Sequence, residues 1–176
     1  MLGAAGLRLV TDDPPPAVAV IPFVNLSGDD ADEYLADGMA EGLATALGKV
    51  SGIRVASRTL GYRYRRRRDV DLQAVGRELS VTHVLVGSVR RAGGRLRVSA
   101  QLVDTKENRE VWTRSYDRDA ADAFAVQDEI TRLVASALPR ELGAGTPADL
   151  PASASSGTSD ADAYDLYLRG RDLLER

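Results

Sequence analysis

The sequence predicts an α/β (α+β) domain: a mixed β-sheet of about five strands in the order β-α-β-α-β-β-β-α, with helices packed on it. Three observations carry this. An unbroken apolar run, Ala17-Val18-Ala19-Val20-Ile21, is followed by a polar turn and then by apolar residues at helical spacing. Further on, Leu96, Val98, Ala100 and Leu102 alternate with Arg95, Arg97, Ser99 and Gln101, the signature of a strand with one dry and one wet face. After the strands, Ile130, Leu133, Val134, Ala137 and Leu138 return to helical spacing.

Taken in order, residues 1–16 read as an extended lead-in, because the prolines of Asp12-Asp13-Pro14-Pro15-Pro16 disfavour helix in the residues before them. The run 17–21 has the composition of a strand buried on both faces. Tyr34, Leu35, Met39, Leu43, Leu47 and Val50 form the stripe of a first helix, with Asp29 or Asp30 as its N-cap. Ser51-Gly52 ends it, and Ile53 to Ser57 is a second strand. A basic loop leads to a short helix from Asp71 to Leu79, with Leu72, Val75 and Leu79 on one side. Thr82 to Arg90 is β-rich, and Ala92-Gly93-Gly94 suits a hairpin turn. The alternating strand follows, then a turn at Asp104 to Asn108 and a strand from Glu110 to Tyr116. The last helix spans Asp122 to Leu142 and closes a domain of residues 17–142. Residues 143–161, rich in Gly, Ala, Pro, Ser and Thr, read as a flexible linker. Residues 162–176 are amphipathic again, a lone helix too short to form a core of its own.

Composition narrows the chemistry. The 176 residues contain no cysteine, so disulfides, thiolate metal sites and cysteine nucleophiles are excluded. The single histidine, His83, excludes a histidine-rich metal centre. With 23 basic and 26 acidic side chains the net charge is −3, which argues against a general nucleic-acid-binding face. No apolar run approaches a bilayer span, and the first residues lack the basic flank of a signal peptide. The expectation is a soluble chain, either cytoplasmic or the soluble part of a membrane-anchored protein.

Several stretches share one pattern: "AVAVIPFVNLSGDDADEYLADGMAEGLATAL", "RVASRT", "VGRELSVTHVLVGSVRRAGGRLRVSAQLVDT", "VWTRSYDRD" and "FAVQDEI". In order and over residues 17–142, they resemble a bacterial domain related to the TolB N-terminal domain and to FlgO. Such domains occur beside tetratricopeptide repeats in adenylate cyclases, protein kinases and winged-helix regulators. The tail "AYDLYLRGRDLLER" is similar to the first helix of such a repeat array. The resemblance implies a small module without established catalytic residues or cofactor, used for ligand sensing or protein contact beside a signalling output domain. Relatives usually carry a glutamate just before "GSV", where this chain has Val86.

Candidate sites follow from local chemistry. The loop "VNLSGDD" has the outline of a phosphate cradle, but it holds one glycine and no lysine, and Asp29, Asp30, Asp32 and Glu33 crowd it with negative charge. It reads as a turn and helix cap. The segment "RTLGYRYRRRRD" offers Arg63, Arg65, Arg66 and Arg67 as a contact surface, with Tyr62 or Tyr64 tucked against the core. The alternative is a nucleic-acid or anionic surface bound through residues 63–68, with steep salt dependence. Gly87-Ser88 inside a strand marks close approach of the first helix or of a ligand. His83 reads as a half-buried strand residue, and Trp112 and Tyr116 as core packing against the last helix. Asp117, Asp119 and Asp122 read as a polar loop capping that helix, without the spacing of a calcium loop. No catalytic, cofactor or metal residues are assigned. The expected function is non-enzymatic sensing or protein interaction, with a protein partner, a fused output domain or a small ligand.

Overall fold

The computed structural model describes residues 16–67, 69–141, 166 and 169. The lead-in before Pro16, Arg68, the linker 143–161 and all of the tail helix except Leu166 and Arg169 lie outside the described residues. The strands are β1 (Ala17–Val20), β2 (Val24–Asn25), β3 (Arg54–Val55), β4 (His83–Ala92), β5 (Arg95–Asp104) and β6 (Arg109–Asp119). The helices are α1 (Glu33–Gly48), α2 (Arg58–Gly61), α3 (Leu72–Leu79) and α4 (Ala123–Glu141). The sheet runs β3-β1-β4-β5-β6, with β2 also pairing β4, so the predicted mixed sheet with helices packed on it is what forms.

β1 is parallel to β3 on one side and to β4 on the other, and all four of its residues are buried, as an apolar run without alternation requires. β2 pairs with β4 beyond β1, Val24 opposite Ser88. The two are one strand interrupted at Ile21-Pro22-Phe23, where Pro22 has no N–H to give the ladder. β4, β5 and β6 form the antiparallel meander. Its first turn is the two-residue Gly93-Gly94, with Ala92 opposite Arg95 and Gly93 at φ +59°. In the second, Asp104 Oδ1 accepts from the N–H groups of Lys106 and Glu107 at 2.8 and 3.0 Å.

Helix starts follow their caps. Asp29 Oδ1 accepts from Ala31 N–H at 2.8 Å and opens a 3₁₀ turn, Asp30–Asp32, that runs into α1. Asp71 Oδ1 accepts from Gln73 and Ala74 N–H at 3.0 and 3.1 Å and starts α3. α1 and α4 cover one face of the sheet. There Met39, Leu43 and Leu47 of α1 and Ile130, Val134 and Leu138 of α4 meet Val18, Leu85, Val89, Leu96, Val98 and Leu102. Each of these large side chains contributes about 2 kcal/mol on burial. On the opposite face, α3 and Tyr64 pack with Ala17, Ala19, Ile21, Val81 and Val84, and Val86 lies partly buried against them. That face of β5 and β6 carries Arg97, Ser99, Gln101, Thr113 and Ser115, which no helix covers among the described residues.

Several expectations are corrected. The strand predicted from Ile53 to Ser57 is only Arg54–Val55, and the last strand runs to Asp119 rather than Tyr116. The basic loop is helical in part: α2 leads into a 3₁₀ turn at Tyr62–Tyr64. Gly87 is pressed by Phe23 rather than by the first helix. A Cβ there would lie 2.5 Å from the Phe23 ring and 2.4 Å from Ser99 O. Phe23, only 2% exposed, comes from the interruption between β1 and β2 and fills the space above the glycine.

Gly87→Ala is expected to lower stability by about 1–3 kcal/mol through overpacking, read as a shifted urea midpoint at unchanged slope. Combining it with Phe23→Leu should cost less than the sum of the two single changes, since the leucine vacates the colliding ring edge.

Candidate functional site

α1 carries Glu33, Asp37 and Glu41 four residues apart, so the three acids line one side of the helix. The arginine segment lies along them. Arg58 pairs with Glu41, Arg65 Nη2 lies 2.5 Å from Asp37 Oδ2, and Arg66 Nε lies 3.4 Å from Glu33 Oε1. Tyr62 O–H donates to Asp37 Oδ2 at 3.2 Å, and the Arg65 guanidinium sits 5.1 Å from the centre of the Tyr62 ring. Two residues on, Tyr64 turns to the other face of the sheet and its O–H donates to Glu78 Oε2 of α3 at 2.5 Å. Tyr64 is thus the aromatic that tucks against the core. Arg63 is exposed.

Burial pushes the Asp37 carboxyl above its ordinary value of 3.8, against the pull of the Arg65 guanidinium. Its second oxygen, Oδ1, is buried without a hydrogen bond among the described residues, which is why the desolvation is so unfavourable. Burial alone would lower the Arg65 pKa, yet Asp37 raises it overall, so the guanidinium stays charged.

The remaining predicted residues meet elsewhere. Arg67, Gly87 and Ser88 line one groove of about 390 Å³ on the open face of the sheet. Its floor comes from β4, β5 and β6 through Val86, Ser88, Ser99, Gln101 and Thr113. Its wall comes from Ile21 and Pro22 of the β1–β2 interruption, Val24 of β2, Val70 between α2 and α3, and Leu72 at the start of α3. The structure therefore splits the candidate surface: Arg65 and Arg66 face the acids of α1, whereas Arg67, Gly87 and Ser88 share the groove. Val86 lies in that groove as well.

The opening loop is closed by its own hydrogen bonds. Ser27 N–H donates to Asn25 Oδ1 at 2.9 Å, Asn25 Nδ2 donates to Asp29 O at 2.8 Å, and Asp32 N–H donates to Asp29 O at 3.1 Å. Gly28, at φ +83°, makes the turn. His83 is buried rather than half-buried, with Nδ1 2.9 Å from Thr82 Oγ1. Trp112 and Tyr116 pack into the cluster that α4 covers. Asp117 and Asp119 do not cap α4. They lie on β6 and pair across to β5, Asp117 with Arg97 at 2.6 Å and Arg95 at 2.7 Å, and Asp119 with Arg95 at 3.2 Å. Hydrogen bonds from Arg97 and Arg95 hold the Asp117 carboxyl below its ordinary value. Among the described residues no three His, Asp or Glu side chains form a group able to hold a metal, and no helix is long and apolar enough to cross a membrane.

The three-way ladder on α1 escaped sequence reasoning. Its acidic half is legible as the four-residue spacing of Glu33, Asp37 and Glu41. Nothing periodic ties them to arginines 17 to 33 residues away.

Sheet order, the α1/α4 layer and the half-covered opposite face together define a TolB-type α/β fold. TolB from Acinetobacter baumannii superposes with a TM-score of 0.55 at 17% identity, over 72% of this chain and 29% of that one. Lipoprotein GNA1162 from Neisseria meningitidis gives 0.51 at 18% identity, over 68% of this chain and 97% of that one. No protein-family model matches the chain. In sequence, the chain is 43% identical over 159 residues to a Rhizobium meliloti protein named "Putative adenylate cyclase 3", a match covering 90% of this chain. The chain spans about a quarter, 26%, of that relative's length.

Arg65→Ala should destabilise the fold by about 2–3 kcal/mol at pH 7, less than for a wholly buried pair because Arg65 keeps some water contact. The loss should shrink as the pH is lowered. A carboxyl whose folded pKa lies above its unfolded one contributes stability below the unfolded value and loses it as pH rises through the folded value. Removing Arg65 raises the folded value of Asp37 further, so the stability of the variant should fall more steeply with rising pH than that of the wild type.

Proposed function

We propose that the chain is a non-enzymatic sensory or protein-contact module of a bacterial signalling protein, working beside an output domain and a tetratricopeptide scaffold. One observation carries the reading: the sheet is covered by helices on one face and left half open on the other, and the groove with Arg67, Gly87 and Ser88 lies on the open part. A groove on a rigid sheet presents groups without having to order them first, so occupation costs little conformational entropy. The match to one quarter of a longer protein named as a cyclase supports a modular role, with the cyclase chemistry belonging to other parts of such a protein.

The mechanism is contact. An occupant on the open face would bridge β4–β6 and the segment leading from Arg67 to Leu72, fixing that segment's position relative to whatever docks beside it. Binding of nucleic acid or an anionic surface through residues 63–68 receives less support, because Arg65 and Arg66 already face Asp37 and Glu33.

Purified chain incubated with magnesium and ATP should form no cyclic AMP above a protein-free blank; turnover would sink the non-enzymatic reading. Ser88→Trp, which fills the groove from its floor, should alter the signalling output when introduced into the natural gene, measured as cellular cyclic AMP. An output identical to wild type would count against the groove as the contact surface.

A further inference from the structure

We infer that the groove on the open sheet face is a binding site for a small monocarboxylate with an apolar body, its carboxylate taken by Arg67 and Ser88 and its body laid on Val24, Val70, Leu72 and Val86. The inference rests on the proposed reading of the groove as the contact surface and names what it takes.

Volume, charge and unused hydrogen-bonding capacity point the same way. At about 390 Å³ the groove falls within the range of small-molecule sites, near its lower end. Among the described residues of its lining Arg67 is the one charged side chain, and none of them is a carboxylate. Whereas Arg58, Arg65 and Arg66 each face an acid of α1, the Arg67 guanidinium makes no ion pair among the described residues. The other polar groups of the lining are mostly engaged. Ser99 Oγ lies 3.0 Å from Ser115 Oγ, Thr113 O–H donates to Ala100 O at 3.4 Å, and Gln101 donates to Glu110. Ser88 Oγ makes no hydrogen bond among the described residues, so Arg67 and Ser88 are the polar side chains of the lining left without a partner there.

These groups select an anion of single charge. A guanidinium matches a carboxylate through two parallel N–H···O bonds, and one positive charge balances one negative charge. A phosphate dianion would keep an uncompensated charge against an apolar wall, which is unfavourable. Glu110, tied to Gln101, repels an anion from the β6 side and leaves the Arg67 end as its place. The valines and Leu72 offer no polar group to the rest of the ligand, which must therefore be apolar.

The test is a titration of the purified chain, followed by amide NMR shifts, with hexanoate, hexanamide and inorganic phosphate as probes. Hexanoate should move the signals of Val70, Val86 and Ser88 saturably and bind at least about tenfold more tightly than hexanamide, the factor expected of a charge-assisted hydrogen bond. Arg67→Gln should erase that preference without changing hexanamide binding. Val86→Glu, which places a carboxylate in the groove, should abolish hexanoate binding while the spectrum keeps its native dispersion. No saturable shift with millimolar hexanoate, equal affinity for the two probes, a preference that survives in Arg67→Gln, or tighter binding of phosphate would each overturn the assignment. The outcomes also separate the two readings. A groove that ignores hexanoate while Ser88→Trp still changes the signalling output removes only the ligand class, whereas a silent Ser88→Trp removes the contact surface itself.

Discussion

The contact between Asp37 and Arg65 is the constraint on which much of the rest depends. The chain leaves β3 on the edge of the sheet and must reach α3 on the face opposite α1. It does so in a short segment with few apolar residues, so hydrophobic burial alone cannot fix its path. Polar ties fix it instead. Tyr62 and Arg65 hold the segment to Asp37 on the α1 side, and Tyr64, between them, holds it to Glu78 on the α3 side. A buried ion pair of this kind contributes little net stability over an apolar alternative. Its use is positional: with Arg65 pinned, Arg67 two residues later is delivered to the groove wall.

The two faces of the sheet are built by different rules, and that difference creates the site. Toward α1 and α4, every second residue of β5 is apolar and the packing is dense enough for a glycine at position 87 to be required beneath Phe23. Toward α3, the same strands carry serine, threonine, glutamine and arginine, which water satisfies. α3, of only eight residues, covers β1, the first half of β4 and, through Gly76 against Thr105, the turn after β5. The groove is the step between the covered and the uncovered halves of one face. Its apolar wall and polar floor are the two rules meeting.

Elements with a strong period were legible in the sequence. The buried β1 run, the alternation of β5, the stripes of α1, α3 and α4, and the cap at Asp29 all express local physics, and they appear where that physics puts them. Less legible were features set by distant partners. β3 shrinks to two residues because only Arg54 and Val55 find β1 beside them. β6 runs on to Asp119 because Arg95 and Arg97 of β5 reward charges that read, in sequence, as a helix cap. Gly87 announced a close approach correctly, but the intruder was a phenylalanine from the opening stretch, which no spacing could assign. For the groove, Arg67 was singled out on one ground and the pair Gly87-Ser88 on another. Their convergence is a property of the fold.

β6 forms the outer edge of the sheet, eleven residues long, a length at which an unpaired ladder invites a second chain to add itself. Arg109, Glu110, Arg114, Asp117, Arg118 and Asp119 punctuate it with charges of both signs. A copy arriving edge to edge would have to strip water from these groups, and a one-residue slip would set like charges against each other. The ion pairs that Asp117 and Asp119 make with β5 thus act outward as well as inward. They let the sheet end at β6 without offering a template for growth.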